Sequence, residues 1–227
     1  MPRIGVISGL KSEIAALEGA WSGGAFAFFA AGGSAERAAE AARRMARDGA
    51  KLLMSVGVAG GLDPSLACGD AVLASQVIAP DGRAYPADEA WRKRLAAPLS
   101  KGARWSGSTL LGSDRPILGV ADKAWLRRKS RAVAVDMESH GVARAAAELK
   151  LPFVALRVIA DPAGRAIPQA ALAGMKPDGS LDPVAVLLRL APRPWTLPSL
   201  LRLAAENRQA HRALSRVALA VGGVLVG

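Results

Sequence analysis

The stretch Lys51-Leu-Leu-Met-Ser-Val-Gly-Val58, running straight into Ala59-Gly60-Gly61-Leu62 and Asp63-Pro64, decides the fold class. Its first part is a short apolar run rich in branched side chains. That pattern suits a strand buried on both faces of a parallel sheet, without the polar alternation of a half-wet one. The glycines and the Asp-Pro pair then break the run and force a turn.

The same grammar extends in both directions. Arg3-Ile-Gly-Val-Ile-Ser-Gly9 predicts a first strand, with Ser12 as N-cap of a short helix through Leu17. Ala25–Ala30 predicts a second strand, followed by Gly32-Gly33-Ser34 and an Ala/Arg/Glu helix over 35–48. Downstream come strands at Asp70–Ile78, Ala132–Val135 and Phe153–Ala160, and helices at 122–129, Met137–Leu149 and 198–215. Between 80 and 130 the pattern weakens to short strands, loops and that one helix. Alternating strands and helices make this an α/β chain with a mainly parallel, doubly wound sheet and crossovers of one hand. No repeat or low-complexity linker divides it, so 1–227 reads as a single domain with a basic helical C-terminal extension from about 190.

Composition narrows the function classes. The lone Cys68 cannot form an internal disulfide, and the apolar opening Ile4–Leu10 meets Lys11 and Glu13 too soon for a signal peptide; both point to the cytoplasm. The longest apolar run, Val217–Gly227, has 11 residues, against about 20 for a membrane-crossing helix, and reads as a last core or docking segment. A net charge of +11 raises the question of nucleic acid. Yet the five Trp and one Tyr are scattered, with no basic–aromatic interleaving for stacked bases. The charge concentrates over 91–131, where 11 Lys or Arg face only Asp114 and Asp122, and in Arg189, Arg193, Arg202, Arg208, Arg212 and Arg216. This is a solvated basic surface or one that attracts an anionic membrane or ligand. His140 and His211 are far apart and form no ligand-spaced metal cluster.

In open α/β sheets the ligand sits at the carboxyl ends of the strands. That rule selects Glu13 after the first strand, Gly60-Gly61 after the third, Glu138 after Ala132–Val135 and Asp161 at the end of Phe153–Ala160. Each has a bland reading beside it. An Asp before Pro is a common strand-end turn, and Asp136-Met-Glu-Ser139 is a favourable charge pattern for a helix N-terminus.

Taken together, Ser55-Val-Gly-Val-Ala-Gly-Gly-Leu-Asp-Pro64, Ala134-Val-Asp-Met-Glu-Ser139 and Arg157-Val-Ile-Ala-Asp161 resemble the purine nucleoside phosphorylase and methylthioadenosine/S-adenosylhomocysteine nucleosidase superfamily. Gly5-Val-Ile-Ser-Gly-Leu-Lys-Ser-Glu13 resembles the start of its nucleosidase branch. The resemblance implies a central mixed, partly barrel-like sheet flanked by helices in three α/β/α layers, which modifies the simpler doubly wound picture. It also implies cleavage of the bond between a purine and ribose. Asp161 becomes the acid that protonates the departing base, its proton retained by desolvation. Glu13 becomes the carboxylate that activates water, and Glu138, with Met137, the holder of the ribose. Val58, Ala59, Gly60, Gly61, Pro116 and Ile117 become the base pocket.

Leu111-Gly-Ser-Asp-Arg-Pro-Ile117, Ala160-Asp-Pro-Ala-Gly-Arg165 continuing to Pro168 and Pro177-Asp-Gly179, and Arg193-Pro-Trp-Thr-Leu-Pro-Ser-Leu-Leu-Arg-Leu203 extend the likeness. With them the chain resembles the hopanoid-associated phosphorylase subgroup, linked to removal of adenine from adenosylhopane. That resemblance implies a lipid-linked purine nucleoside as ligand, peripheral contact with the inner face of an anionic membrane, and a homo-oligomer, with no nucleic-acid partner. The chain also departs from the nucleosidase pattern. Val58 and Ala160 stand where hydroxyl residues are usual, and Pro116 stands where an aromatic side chain meets the purine.

The attacking group stays open at this point. Glu13 favours water, since a carboxylate repels phosphate, and no cofactor is implied. Gly9, Gly32, Gly33, Ser34 and Arg37 could supply the amides and cation for phosphate as co-substrate. Competing readings are a methylthioadenosine or S-adenosylhomocysteine nucleosidase, a salvage purine phosphorylase, a non-catalytic nucleoside binder and a basic nucleic-acid module.

Overall fold

The computed structural model describes residues 4–21, 23–102, 105–169, 171, 176, 178–180, 182 and 197–226. Arg3, Pro177, Arg189 and residues 190–196 of the expected extension, Arg193 among them, lie outside the described residues, as does Gly227.

The decisive stretch becomes the hub of one ten-stranded sheet. Strands β1 (Ile4–Ser8) and β2 (Phe26–Ala30) precede β3 (Leu52–Gly61), and β4 (Ala71–Leu73) to β6 (Ala84–Pro86) follow it with β5 (Gln76–Ile78) between. Then come β7 (Trp105–Ser106), β8 (Leu110–Gly112), β9 (Ala134–Asp136) and β10 (Phe153–Asp161). Along one edge β3 runs parallel to β10. Its other edge is shared: β1 pairs with Leu52–Ser55, and β9 pairs antiparallel with Gly60 and Gly61. The strand therefore does not stop at Val58 as expected. The glycines continue it while it bends from one partner to the next.

The expected single strand Asp70–Ile78 is instead two. β4 pairs antiparallel with β10, the chain turns at Ala74 and Ser75, and β5 pairs with β8. Since β8 joins β9, and β9 joins β3, the ring β3-β10-β4/β5-β8-β9 closes on itself. The sheet is mixed and partly barrel-like, and β1 with β2 splay off as an open wing.

Helices cover both sides: α1 (Lys11–Glu18), α2 (Ala35–Arg47), α3 (Glu89–Gly102), α4 (Val120–Ser130), α5 (Ser139–Leu149) and α6 (Leu197–Val226). Helix α3 was not expected, because its interior Pro98 discounts a helix on sequence grounds. Its start is held by the Asp88 carboxylate, which accepts from the Trp91 amide at 2.9 Å, and its Leu95 and Leu99 are fully buried. Helix α1 is capped differently from the expectation. Leu10 is its N-cap residue, while the Ser12 hydroxyl faces His211 of α6 at 3.0 Å.

Helix α6 has 30 residues and runs well past the expected end near 215. Its Ala210, Ala213, Leu214, Val217, Ala218, Val221 and Leu225 enter the same core as β1, β3 and β10. The Trp21 indole N–H donates to the Ala218 carbonyl at 2.8 Å. The apolar run at the C-terminal end is thus a docking segment of the domain core. Among the described residues no helix is long and apolar enough to cross a membrane.

Candidate active site

Strand β10 is buried along its whole length. Phe153, Ala155 and Ile159 of one face join one core cluster, and Val154, Leu156, Val158 and Ala160 of the other face join a second. Arg157 occupies the first face, where periodicity demands an apolar side chain, and its side chain is 0% exposed. A buried guanidinium persists only if its donors are matched by anions and hydroxyls. Its Nε lies 2.5 Å from Asp136 Oδ2 and its Nη2 lies 3.4 Å from Glu138 Oε2. Nη2 also donates to the Ser55 hydroxyl at 2.6 Å and, with Nε, to the Ser139 hydroxyl at 3.1 and 3.2 Å.

The register puts Gly57 of β3 directly opposite Arg157. A Cβ on Gly57 would fall 2.7 Å from Arg157 Nη1 and 2.8 Å from Glu13 Oε1. Only glycine leaves room there for a guanidinium and a carboxylate to pass over the backbone. Glu13 is 1% exposed, and both its oxygens are committed. Oε2 accepts from the amides of Gly9 and Leu10 at 2.8 Å each, and Oε1 accepts from the Val58 amide at 2.7 Å. A glutamate at the third position of α1 thereby reaches back to its own helix start, the acceptor half of a capping box, while facing the cavity.

Asp136 and Glu138 divide the two sequence readings of Asp136-Met-Glu-Ser139 between them. Asp136 takes the structural part, accepting from the amides of Glu138 and Ser139 at the start of α5. Glu138 turns its carboxylate inward, so close to Gly9 that a Cβ there would meet its Oε1 at 2.7 Å. Burial, reinforced by the charges of Asp136 and Glu13 and resisted by Arg157, pushes the Glu138 carboxyl up to about 8.

At the end of β10 the register with β3 slips by one residue, so that Asp161 falls opposite Gly60. A bulge of this kind re-aims a side chain, and here it coincides with the candidate acid. Asp161 Oδ2 accepts from the Lys123 ammonium at 2.6 Å. Burial pushes the Asp161 carboxyl up, against the downward pull of Lys123.

These groups converge on one cavity of about 190 Å³. Gly9, Glu13, Glu138, Met137 and Asp161 line it, as do Val58, Ala59 and Gly60 of β3, Pro116, Ile117 and Gly33. Four expected residues, Gly61, Gly32, Ser34 and Arg37, stand off its wall. Gly61 packs behind it, against Pro162 and Ala163. Ser34 caps α2, accepting from the Arg37 amide at 3.3 Å, and borders a separate depression with His140 and Asp114. Sequence reasoning missed Arg157, Gly57 and Lys123. The signal for Arg157 was present: one cation inside an otherwise unbroken apolar strand. Lys123 had none, being one basic residue among many. His140 Nε2 lies 3.0 Å from Asp114 Oδ1, and His211 is engaged with Ser12 and the Asn207 carbonyl.

The arrangement combines a carboxyl group whose pKa is raised by burial, a second carboxyl shared with an arginine, and a third fixed by three amides. Leu10, Val135 and Ile167 add apolar wall, and Arg115 and Asp136 complete the lining. Such a cleft can hold a flat base at one end, a polyhydroxylated ring at the other, and deliver a proton between them.

The 5'-methylthioadenosine/S-adenosylhomocysteine nucleosidase of Mycobacterium bovis is 28% identical over 157 residues, covering 52% of this chain and 62% of the relative. The chain thus matches only about six tenths of that relative's length. The Neisseria meningitidis enzyme of the same name, solved with methylthio-immucillin-A, superposes with a TM-score of 0.74 at 16% identity, over 100% of this chain and 99% of that one. The one from Colwellia psychrerythraea, solved with adenine, gives 0.73 at 20% identity, over 98% and 95%. Residues 24–173 match the sequence profile of the phosphorylase superfamily. On that match, the chain belongs to the phosphorylase superfamily.

Proposed function

We propose that this protein cleaves the N-glycosidic bond of a 5′-substituted adenosine and releases adenine. The observation that carries the reading is the meeting of Asp161, Glu138 and Glu13 on one cavity of about 190 Å³. Asp161 gives its proton to a ring nitrogen of the purine as the C1′–N bond breaks and its electron pair moves into the base. Glu138 accepts hydrogen bonds from the ribose hydroxyls, and in its ionised form, which Arg157 favours, opposes the positive charge that develops on the sugar. A water adds to C1′ and its proton passes to Glu13.

Water is favoured over phosphate by the hydrogen bonding of the rim. The Gly9 and Leu10 amides already donate to Glu13, and the Ser34 hydroxyl already serves the Arg37 amide. A phosphate would have to displace a carboxylate to reach the first two donors. Phosphorolysis, with phosphate as co-substrate at Gly9, Gly33 and Ser34, is the alternative.

For the 5′ substituent we favour the hopane of adenosylhopane. The likeness of the 111–117, 160–165 and 193–203 sequence segments to the hopanoid-associated subgroup supports it, as does the basic face of α6 with exposed Leu197, Leu201 and Leu219. In this reading the protein works in the cytoplasm, as a homo-oligomer, peripherally at the inner membrane face. Methylthioadenosine or S-adenosylhomocysteine is the second reading, favoured by the relatives named above.

The test is adenine release, followed by chromatography, from adenosylhopane and from methylthioadenosine. Each is run with and without phosphate, on the wild type and on Asp161→Asn. Release from the lipid nucleoside, independent of phosphate and reduced by about 10²-fold or more in Asp161→Asn, is the expected result. A phosphate requirement reassigns the nucleophile, and release from methylthioadenosine alone reassigns the substrate. No release from either overturns the proposal.

A further inference from the structure

Lys123 is the most deeply buried lysine among the described residues, with a side chain 0% exposed. It projects from α4, on the polar side of the molecule's most basic stretch, yet its ammonium points away from solvent. Four oxygens surround it: Asp161 Oδ2 at 2.6 Å, the Asp161 carbonyl at 3.1 Å, the Pro162 carbonyl at 3.1 Å and the Arg165 carbonyl at 2.9 Å. An ammonium has three N–H donors, so every donor is used and no lone pair is left to accept. Three of the four partners are carbonyls, one from Asp161 at the end of β10 and two from the turn that follows it. Lys123 therefore holds the backbone of the turn and the carboxylate it presents as one unit.

We propose that Lys123 is the positioning residue of the general acid: it fixes Asp161 through Oδ2 so that Oδ1 carries the transferable proton toward the base. The inference rests on the reading of Asp161 as that acid. Two physical consequences follow from the geometry. First, a carboxyl group whose one oxygen accepts from an ammonium protonates on the other, so a single rotamer and a single protonated oxygen face the cavity. Second, the carboxylate left after transfer is met at once by a cation already in place, with no reorganisation during the reaction. Without Lys123 the buried acid would hold its proton more tightly and release it less readily.

The charged groups around Asp161 are few. Lys123 faces it from α4, and Glu206 of α6 adds a distant negative charge that favours the protonated form. Glu206 is itself paired with Arg165 of the same turn, at 2.8 Å. Removing Lys123 thus leaves burial and Glu206 acting in the same direction on Asp161.

The experiment compares wild type, Lys123→Met, Lys123→Arg and Asp161→Asn in adenine release across pH 5–10, on whichever nucleoside the wild type cleaves. Adenine binding by calorimetry and a thermal melt accompany each variant. Asp161 works protonated, so kcat/KM falls on the alkaline side of its pKa. Lys123→Met is expected to lower kcat by about 10²-fold, the lower end of what a positioned acid contributes. It should leave KM and adenine binding within about threefold, and should move the alkaline limb at least about one unit to higher pH. Lys123→Arg, which restores the charge, should return the limb toward its original place.

A Lys123→Met enzyme with wild-type kcat and limb overturns the inference. So does one that loses activity with its limb unmoved, because a merely structural role predicts that. If the wild type releases adenine and Asp161→Asn does so equally well, the acid reading itself fails, and this inference falls with it. Should Lys123→Met prove too unstable to assay, the Lys123→Arg limb decides alone. A limb unchanged from wild type together with unchanged kcat supports a charge-based role, and a collapse of kcat with an unmoved limb overturns it.

Discussion

Glu138→Gln should stabilise this protein at alkaline pH while destroying its activity. The carboxyl is held at about 8 against an ordinary 4.5, so the folded chain binds a proton at this site more tightly than the unfolded chain does. Stability from such a group is complete below pH 4.5 and is lost as pH rises through 8. At about 1.4 kcal/mol per unit, a shift of this size corresponds to about 5 kcal/mol once the side chain is fully ionised. About 3 kcal/mol of that falls between pH 5 and pH 8. Glutamine keeps the shape and the carbonyl acceptor for Arg157 and does not titrate. In a chain of this length, 1 kcal/mol moves Tm by about 2–4 °C. The melting temperatures of wild type and variant should therefore coincide within about 2 °C at pH 5 and differ by about 6–12 °C at pH 8.5, the variant being higher. Taking the difference between two proteins at each pH cancels the titration of all other groups. Parallel pH profiles, or a variant less stable than wild type at pH 8.5, would refute the claim that Glu138 is strained by burial among like charges. A residue retained at such a cost is expected where function demands it.

Two further outcomes follow from packing and charge. A Cβ at Gly141 of α5 would lie 2.0 Å from the Ala35 carbonyl oxygen of α2. Gly141→Ala must therefore part the two helices, at a cost of about 3 kcal/mol and a drop of about 6–12 °C in Tm; an unchanged melt would show that the helices do not cross this closely. Arg202, Arg208, Arg212 and Arg216 are exposed along α6 with Leu201 and Leu219. Each cation near an anionic surface contributes about 1 kcal/mol at low salt, so the protein should co-sediment with phosphatidylglycerol vesicles in 20 mM salt, as an order-of-magnitude choice below physiological ionic strength. It should be released by high salt and should ignore phosphatidylcholine; failure to bind the anionic vesicles at low salt sinks the peripheral-membrane reading.

The fold was legible wherever a buried strand left an apolar run. β1, β2 and β10 fall where the sequence places them, and so do α2 and α5 within a residue or two. The misses share a cause: they depend on partners distant in sequence. Asp70–Ile78 reads as one strand because nothing local marks Ala74 and Ser75 as the corner where pairing passes from β10 to β8. β3 reads as ending at Val58 because glycines usually break strands, yet here β9 supplies an antiparallel partner to Gly60 and Gly61. Helix α3 was hidden by Pro98, whose penalty is outweighed by the burial of Leu95 and Leu99 against α6.

The site was legible as a set of carboxylates and illegible as a charge balance. Strand-end logic finds Glu13, Glu138 and Asp161 because they sit where β-strands stop. It cannot find what neutralises them, since Arg157 lies 19 residues from Glu138 and Lys123 lies 38 from Asp161. The count of basic residues even misdirects: Lys123 belongs to the stretch that gives the chain its positive surface, and it is a fully buried ion. A net charge is a property of the surface only when every member of the count is at the surface. Within this cleft the two cations do separate work. Arg157 gathers Asp136 and Glu138, whereas Asp161 is the carboxylate that Lys123 holds. Their separation places the carboxyl groups of one small cavity in different electrostatic surroundings.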